Sequence, residues 1–434
     1  MIRILWCLLV VISFTTAHAN GILKKQVDQS ADRIESKVIE WRRHFHQFPE
    51  LSNREFKTAE KVAEHLTHLG LEVKTAVAHT GVVGVLKGGK PGPVVALRAD
   101  MDALPVTERV DLPFASKVRA KYNGQDVGVM HACGHDTHIA ILMGVAEILS
   151  SMKNDLKGSV KFIFQPAEEG APRDEEGGAR LMVKEGVLEN PKVDVIFGLH
   201  VWALKEVGTI GYRPEGTMAG SDGLRITVKG KQTHGSTPWT GVDPITVSAQ
   251  IIMGLQTIIS RQTELTENAA VITIGSIHGG VRSNIIPDQV EMVGTIRTLN
   301  TEMQDKIHEK IRLTVTKIAE SAGAVADVRI SKGYPVTYND PELTAMMLPS
   351  LKAAAGAENV KLIKAITGAE DFSFYQQQIP GLYFFLGGMP KDKKPEDAAP
   401  HHSPDFYIDE SSLKLGVRAL SYLALDYMEL YSTR

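Results

Sequence analysis

Val160-Lys161-Phe162-Ile163-Phe164-Gln165-Pro166-Ala167-Glu168-Glu169 is the stretch whose reading decides the fold. The apolar run Val160 to Phe164 is short, reads as a strand buried on both faces, and stops at polar residues that end in an acid pair. The same pattern recurs on either side. Val94 to Leu97 leads into Arg98-Ala99-Asp100-Met101-Asp102, Val193 to Phe197 leads into Gly198-Leu199-His200, and a fourth run covers Leu382 to Leu386. Helical patterns at Ile139 to Met152 and Ala179 to Glu185 fit crossovers between such strands. The chain is therefore expected to be an α/β protein with a mostly parallel sheet, its chemistry lying beyond the carboxyl ends of the strands.

Upstream, Ile34, Val38, Trp41, Phe45 and Phe48 recur at three- and four-residue intervals and define a helix face. A second helix carries Phe56, Ala59, Val62, Ala63, Leu66 and Leu69, with Gly70 placed for a left-handed cap. Downstream the rhythm changes. Leu224, Ile226 and Val228 alternate as a strand, Asp243-Pro244 opens a helix to about Arg261, and strands are expected at Ala270 to Ile277 and Gln289 to Leu299. A helix from Thr301 to Ala322 and a strand from Val325 to Ile330 complete the order β-α-β-β-α-β, that of a ferredoxin-like module. The expected division is a signal peptide at 1–19, a first catalytic part at 20–211, an inserted α+β lid and dimerisation domain at 212–332, and a second catalytic part at 333–434. The hinge is expected near Tyr212 and Gly333.

A chain of 434 residues with 43% hydrophobic residues can bury a large core. Its net charge of -3 gives no reason to expect nucleic acid as a partner and leaves a small molecule as the expected ligand. Met1 to Ala19 has Arg3, an apolar stretch from Ile4 to Phe14 and Ala17-His18-Ala19 as a small-x-small site, so a cleavable export signal is expected, with cleavage after Ala19. The apolar stretch is short of the about 20 residues that span a bilayer. Secretion to the periplasm without membrane insertion follows. Of two cysteines, Cys7 would leave with the signal, and the remaining thiol, Cys133, would need protection in an oxidising compartment. Metal ligation supplies it.

Cys133, His135, Glu169, His200 and His402 are metal-ligand residue types at the ends of apolar runs. Five donors are too many for one tetrahedral ion, whereas two ions about 3.5–4 Å apart would use them all. Gly134 permits the unusual turn that would let Cys133 and His135 face one ion pair. Adjacent Glu168 and Glu169 diverge in an extended segment, so Glu169 is assigned as ligand and Glu168 as the acid/base that relays a proton from metal-activated water to a leaving amine. Two divalent ions are expected: zinc suits the donors, and manganese, nickel or cobalt remain open. Two other readings stand beside this one: a cysteine hydrolase with Cys133 as nucleophile and His135 as base, and a periplasmic metal or ligand carrier without catalysis.

At these residues the chain resembles the metal-dependent amidohydrolases that include hippurate hydrolase, N-acyl-amino-acid hydrolases and auxin-conjugate hydrolases, a branch of the aminoacylase/carboxypeptidase metallopeptidase family. The resemblance is carried by Arg98 to Pro105, His131 to Asp136, Phe164 to Glu169, Gly198 to His200, Gly368 to Phe372 and His402 to Pro404. It implies two metals held by Cys133, His135, Glu169, His200 and His402, with Cys133 bridging and Glu168 as acid/base. In the wider family a metal-binding His stands where Arg98 stands here, so His135 compensates and Asp100 is expected behind the ligands. The resemblance further implies a homodimer through the lid, His234 polarising the scissile carbonyl, and Asn284 and Arg297 holding the substrate carboxylate. His234-Gly235-Ser236-Thr237-Pro238-Trp239 departs from the branch's His-Ala-Ala-x-Pro-His form, and Trp239 is expected to reshape the pocket. The activity implied is hydrolysis of N-acyl or N-aroyl amino acids to a carboxylic acid and a free amino acid.

Overall fold

The computed structural model describes residues 2–431, with side chains from Gly21 onward. The side chains of the expected export signal lie outside the described residues. Eight long strands carry the two main sheets: β1 (Lys90–Asp100), β2 (Lys157–Gln165), β3 (Val195–Glu206), β4 (Gly220–Lys229), β5 (Ala270–Gly279), β6 (Gln289–Thr298), β7 (Val325–Tyr334) and β8 (Gly381–Met389). Seven helices matter here: α1 (Ile2–Gln47), α2 (Phe56–His68), α3 (His135–Ser151), α4 (Pro244–Gln262), α5 (Thr301–Ser321), α6 (Pro341–Ala355) and α7 (Leu413–Tyr431). The chain divides into two compact units, one of residues 1–214, 339–363 and 374–434, the other of Glu215–Tyr338 and Lys364–Ser373.

In the first unit the four apolar runs are the four central strands, in the order β2-β1-β3-β8, each parallel to its neighbour. Shorter strands flank them, some antiparallel, giving an eight-stranded sheet. Leu97, Phe162, Phe164, Phe197 and Phe384 are fully buried in one core with residues of α1, α3 and α7. Continuous apolar strands are what a sheet covered on both faces requires. Gly70 does end α2 in a left-handed turn, at φ +77°, with the Leu71 N–H reaching back to the Leu66 carbonyl.

One expectation is corrected within this sheet. The third run was expected to end before His200, yet β3 continues to Glu206. Its pairing with β1 stops at Gly198, while pairing with β8 carries on through His200 opposite Phe385. His200 is thus inside its own strand and just beyond the last residue that pairs with β1.

The second unit is an antiparallel sheet in the order β5-β6-β4-β7, with α4 and α5 against one face. Leu224, Ile226 and Val228 point into its core together with Ile251, Leu255 and Ile311. Asp243 caps α4 by accepting from Ile245 and Thr246 N–H, and Pro244 occupies the first turn. The unit is not the contiguous 212–332 expected. It begins at Glu215, runs to Tyr338, and adds Lys364–Ser373. That segment joins because the Ala219 N–H donates to the Ile366 and Gly368 carbonyls, and the Ile366 N–H to Thr217. Gly333 itself lies within β7, a few residues before the unit's boundary: its N–H donates to Asp222 at 3.2 Å, and a Cβ there would meet the Ser221 carbonyl oxygen at 2.3 Å.

Lys161, the one charged residue of the opening run, is 1% exposed. Its Nζ donates to the carbonyls of Val187, Glu189 and Pro191 at 2.9, 2.7 and 2.8 Å, tying β2 to the chain that enters β3. Replacing Lys161 by methionine is expected to reduce the free energy of unfolding by roughly 1–3 kcal/mol, since three carbonyls, that of Val187 fully buried, lose their donor. Urea denaturation measures this, and an unchanged midpoint would show that water replaces the ammonium without loss.

Candidate metal centre

The strand ends and two loops assemble the candidate residues within the first unit. Cys133 and His135 flank Gly134, which has φ +96° and no room for a side chain, since a Cβ would sit 2.4 Å from Val201 Cγ1. The turn it makes opens α3. Glu168 and Glu169 follow β2 after Ala167, a non-glycine residue at φ +53°. Asp102, two residues beyond β1, accepts the Glu168 N–H on Oδ1 and the Glu169 N–H on Oδ2, both at 3.0 Å. His402, at φ +64°, donates its N–H to the Ala132 carbonyl at 2.8 Å, which fixes the C-terminal loop against Cys133.

The imidazoles are oriented by backbone carbonyls. His135 Nδ1 donates to the Asp102 carbonyl at 2.8 Å and His200 Nδ1 to the Val201 carbonyl at 2.6 Å. In both rings this leaves Nε2 as the nitrogen available to a cation, the arrangement that metal-binding histidines adopt. His135 Nε2 and Glu169 Oε1 are buried and have no hydrogen-bond partner among the described residues. His200 Nε2 lies 3.4 Å from Cys133 Sγ, close to the about 3.5 Å expected of a nitrogen and a sulfur bound to one tetrahedral ion. His402 Nε2 lies 3.1 Å from Glu169 Oε1, off the line of a hydrogen bond. Of five sets of donors that fall within 4.8 Å of one another, three bring the expected ligands together: Cys133 with Glu169 and His402, His135 with Glu168 and Glu169, and Cys133 with His200 and His401. All five expected ligands are therefore in one cluster, Cys133 and Glu169 each shared between sets. The buried orphan atoms and the fixed ring orientations fit divalent cations.

The electrostatics agree. Burial, then Glu169, Glu168 and Asp100, push the Cys133 thiol well above its ordinary range. Burial disfavours a charged His135, but Asp100 and Asp102 outweigh it and push the ring up to about 10. A cluster this rich in negative charge calls for a cation, and a cation is what turns the thiol into a thiolate. A Cys133 nucleophile with His135 as its base is disfavoured, because His135 Nδ1 is committed to the Asp102 carbonyl and Cys133 Sγ lies among metal-ligand side chains.

Four nearby groups are occupied elsewhere. Asp100 accepts from Arg98 at 2.6 Å and from His138 Nδ1 at 2.5 Å, so it stands behind the cluster and neutralises the arginine. Arg98 also donates Nε–H to Gln165 at 2.9 Å, joining the ends of β1 and β2. His138 Nε2 accepts the Val201 N–H at 2.9 Å, which consumes both its nitrogens. His401 is likewise spent: Nδ1 faces the Cys133 carbonyl at 3.1 Å and Nε2 accepts the Ala203 N–H at 3.1 Å. Neither His138 nor His401 was singled out from sequence. His138 was legible as the residue one helical turn beyond His135; His401 had no signal separating it from His402. Asp102 was quoted in its motif without a role, and its place two residues after Asp100 was the available clue.

In the second unit, His234 pairs with Ile285 in a short antiparallel bridge, and the neighbouring Gly235 N–H donates to the Asn284 carbonyl at 2.8 Å. Ser236 donates its N–H and hydroxyl to His234 Nδ1 at 3.0 and 2.7 Å, so the ring proton resides on Nε2. Arg297 is not with them. It stands opposite Ser221 at one end of β4 and β6, whereas His234 and Asn284 follow the other end, where Lys229 faces Gln289. At about 3.3 Å per residue the strand separates them by more than 20 Å. Asn284 and Arg297 of one chain thus stand toward opposite ends of this sheet. Trp239 is 79% exposed.

The profile of peptidase family M20/M25/M40 matches residues 96–426, and the chain belongs to that family. Thermostable carboxypeptidase 1 of Saccharolobus solfataricus is 41% identical over 407 residues, covering 93% of this chain and 99% of its own. N-acetylcysteine deacetylase of Bacillus subtilis is 38% identical, covering 91% and 97%. Among solved structures, a dinuclear metal-binding peptidase of the M20 family from Bacillus subtilis superposes with a TM-score of 0.77 at 36% identity, covering 92% of this chain and 99% of that one. The chain is a hydrolase of this family.

The two adjacent histidines give a sharp test. His402→Ala is expected to lower the bound divalent metal measured by elemental analysis, whereas His401→Ala is expected to keep it and to lose about 1–2 kcal/mol of folding stability through two broken hydrogen bonds. The reverse pattern would exchange their roles.

Proposed function

We propose that the protein is a two-metal amidohydrolase that cleaves N-acyl or N-aroyl amino acids to a carboxylic acid and a free amino acid. The observation that carries this reading is the buried cluster in which Glu168 Oε2 lies 3.9 Å from His135 Nε2, beside Glu169 and Cys133. Cys133, His135, Glu169, His200 and His402 would hold the two ions. Bound there, divalent cations supply Lewis-acid chemistry, polarising a carbonyl and acidifying water.

The chain's own residues supply the rest. Glu168 takes a proton from the attacking water and delivers it to the departing amine. Asp102 holds the backbone of the acid pair so that Glu168 and Glu169 diverge. His234, with its proton on Nε2, is the proposed donor to the oxygen that becomes negative as the carbonyl is attacked. Asn284, next to it, is the proposed contact for the substrate's carboxylate. The names of the deacetylase and carboxypeptidase relatives support an amide next to an amino-acid carboxylate as substrate. Zinc is the favoured metal on donor type.

The proposal includes export and a lid-mediated dimer. Export is supported by the Met1 to Ala19 pattern and by a lone buried thiol. Among the described residues no helix is long and apolar enough to cross a membrane. The dimer is supported by Val271 and Ile277, exposed at 39% and 47% on β5, the edge strand of the lid sheet.

Release of free amino acid from a panel of N-benzoyl, N-acetyl and indole-acyl amino acids, before and after chelation and metal re-addition, tests the reaction. Turnover should vanish on chelation and return with metal, and Glu168→Gln should lower kcat by about 10²–10⁴-fold with the metals retained. Turnover that survives complete metal removal would overturn the mechanism.

A further inference from the structure

Ala167 controls where the acid pair points. It is 1% exposed, directly precedes Glu168, and lies in the left-handed region at φ +53°, where a residue with a Cβ stays only if its surroundings hold it. Three successive N–H groups, those of Ala167, Glu168 and Glu169, are each taken by a buried carboxylate. Asp102 takes the last two. The first is accepted by Glu55 Oε1 at 2.9 Å.

Glu55 is fully buried, and its other oxygen accepts the Thr80 hydroxyl at 2.5 Å. It belongs to a short segment that grips the acidic loop at several points. Ser52 donates to Asp102 Oδ2 at 2.7 Å, the same oxygen that receives the Glu169 N–H. Asn53 donates to the Glu176 carbonyl at 3.0 Å, and Arg54 pairs with Glu175. The segment is itself anchored: the Ala103 N–H donates to the Glu50 carbonyl, and the Glu50 carboxylate accepts the Thr58 N–H at the start of α2. A carboxyl group is expensive to bury. Here it is placed against the one backbone N–H whose direction decides how the following two side chains separate.

We propose that Glu55 is a positioning residue of the metal centre, its hydrogen bond to the Ala167 N–H fixing the turn that aims Glu169 at the ligand cluster and leaves Glu168 placed for proton transfer. This rests on the proposed two-metal reading. Glu55 touches neither substrate nor metal in this role and acts through the backbone of Ala167.

The test uses the full chain with Glu55→Gln, Glu55→Ala and Thr80→Val, and reads metal retention against a graded chelator alongside kcat and KM. Glutamine keeps a carbonyl acceptor for the Ala167 N–H and an amide for Thr80; alanine keeps neither. The expected result is that Glu55→Ala loses about 10–100-fold in metal affinity or kcat, with KM changed little, while Glu55→Gln stays within about threefold of the parent. Thr80→Val, which leaves Glu55 in place but frees one oxygen, is expected to fall between them, and it stands in if the alanine variant does not fold. Wild-type metal retention and kcat in the alanine variant would overturn the proposal. So would a glutamine variant as impaired as the alanine one, which would make charge rather than the hydrogen bond the cause. Should the parent hydrolyse no amide at all, the proposed substrate fails, and chelator resistance of the variants still decides the role of Glu55.

Discussion

Four carboxylates, Asp100, Asp102, Glu168 and Glu169, are gathered at the ends of two adjacent parallel strands, three of them buried and Glu169 nearly so. Keeping such charge out of water is costly unless every oxygen is answered. The surroundings are arranged around that cost. Arg98 and His138 answer Asp100, successive backbone N–H groups and Ser52 answer Asp102, and imidazoles stand beside the glutamates. What is left unanswered, Glu169 Oε1 and His135 Nε2, is where a cation fits. The sheet supplies the stagger that makes this possible, since β1 stops pairing with β3 at Gly198 while β8 carries β3 onward past His200.

The parts of the fold that were readable in the sequence are those governed by local pattern. A strand covered on both faces is apolar along most of its length, so the four central strands announce themselves, and the lid's alternation from Leu224 to Val228 does the same for a one-sided sheet. The order of elements then limits the topology. What was not readable depends on partners distant in sequence. Nothing in Val193 to His200 shows that Phe385 will extend β3, and nothing in Lys364 to Ser373 shows that Ala219 and Thr217 will draw it into the second unit.

The site divides along the same line. Donor types at run ends picked out all five clustered residues and the acid beside them, because coordination chemistry restricts which side chains serve. The groups that orient those donors escaped notice, being backbone carbonyls, Asp102, Glu55 and His401, whose value lies in a direction rather than a chemical type. His401 and His402 are adjacent and identical in type, and their partners tell them apart: the Ala203 N–H and the Cys133 carbonyl for His401, Glu169 for His402. Arg297 stands a strand's length from Asn284, a separation that residue type alone does not reveal.

Cys133 and His401 touch across 268 residues of sequence, and the whole lid lies within that interval. A metal joining Cys133 to the neighbouring His402 would therefore behave as a reversible cross-link closing a very long loop. Closing such a loop restricts the unfolded chain far more than it restricts the folded one, in the way a disulfide does. The single thiol of the described chain would then perform a staple's task without a second cysteine, and the resistance of the catalytic unit to unfolding would rise and fall with the concentration of free metal.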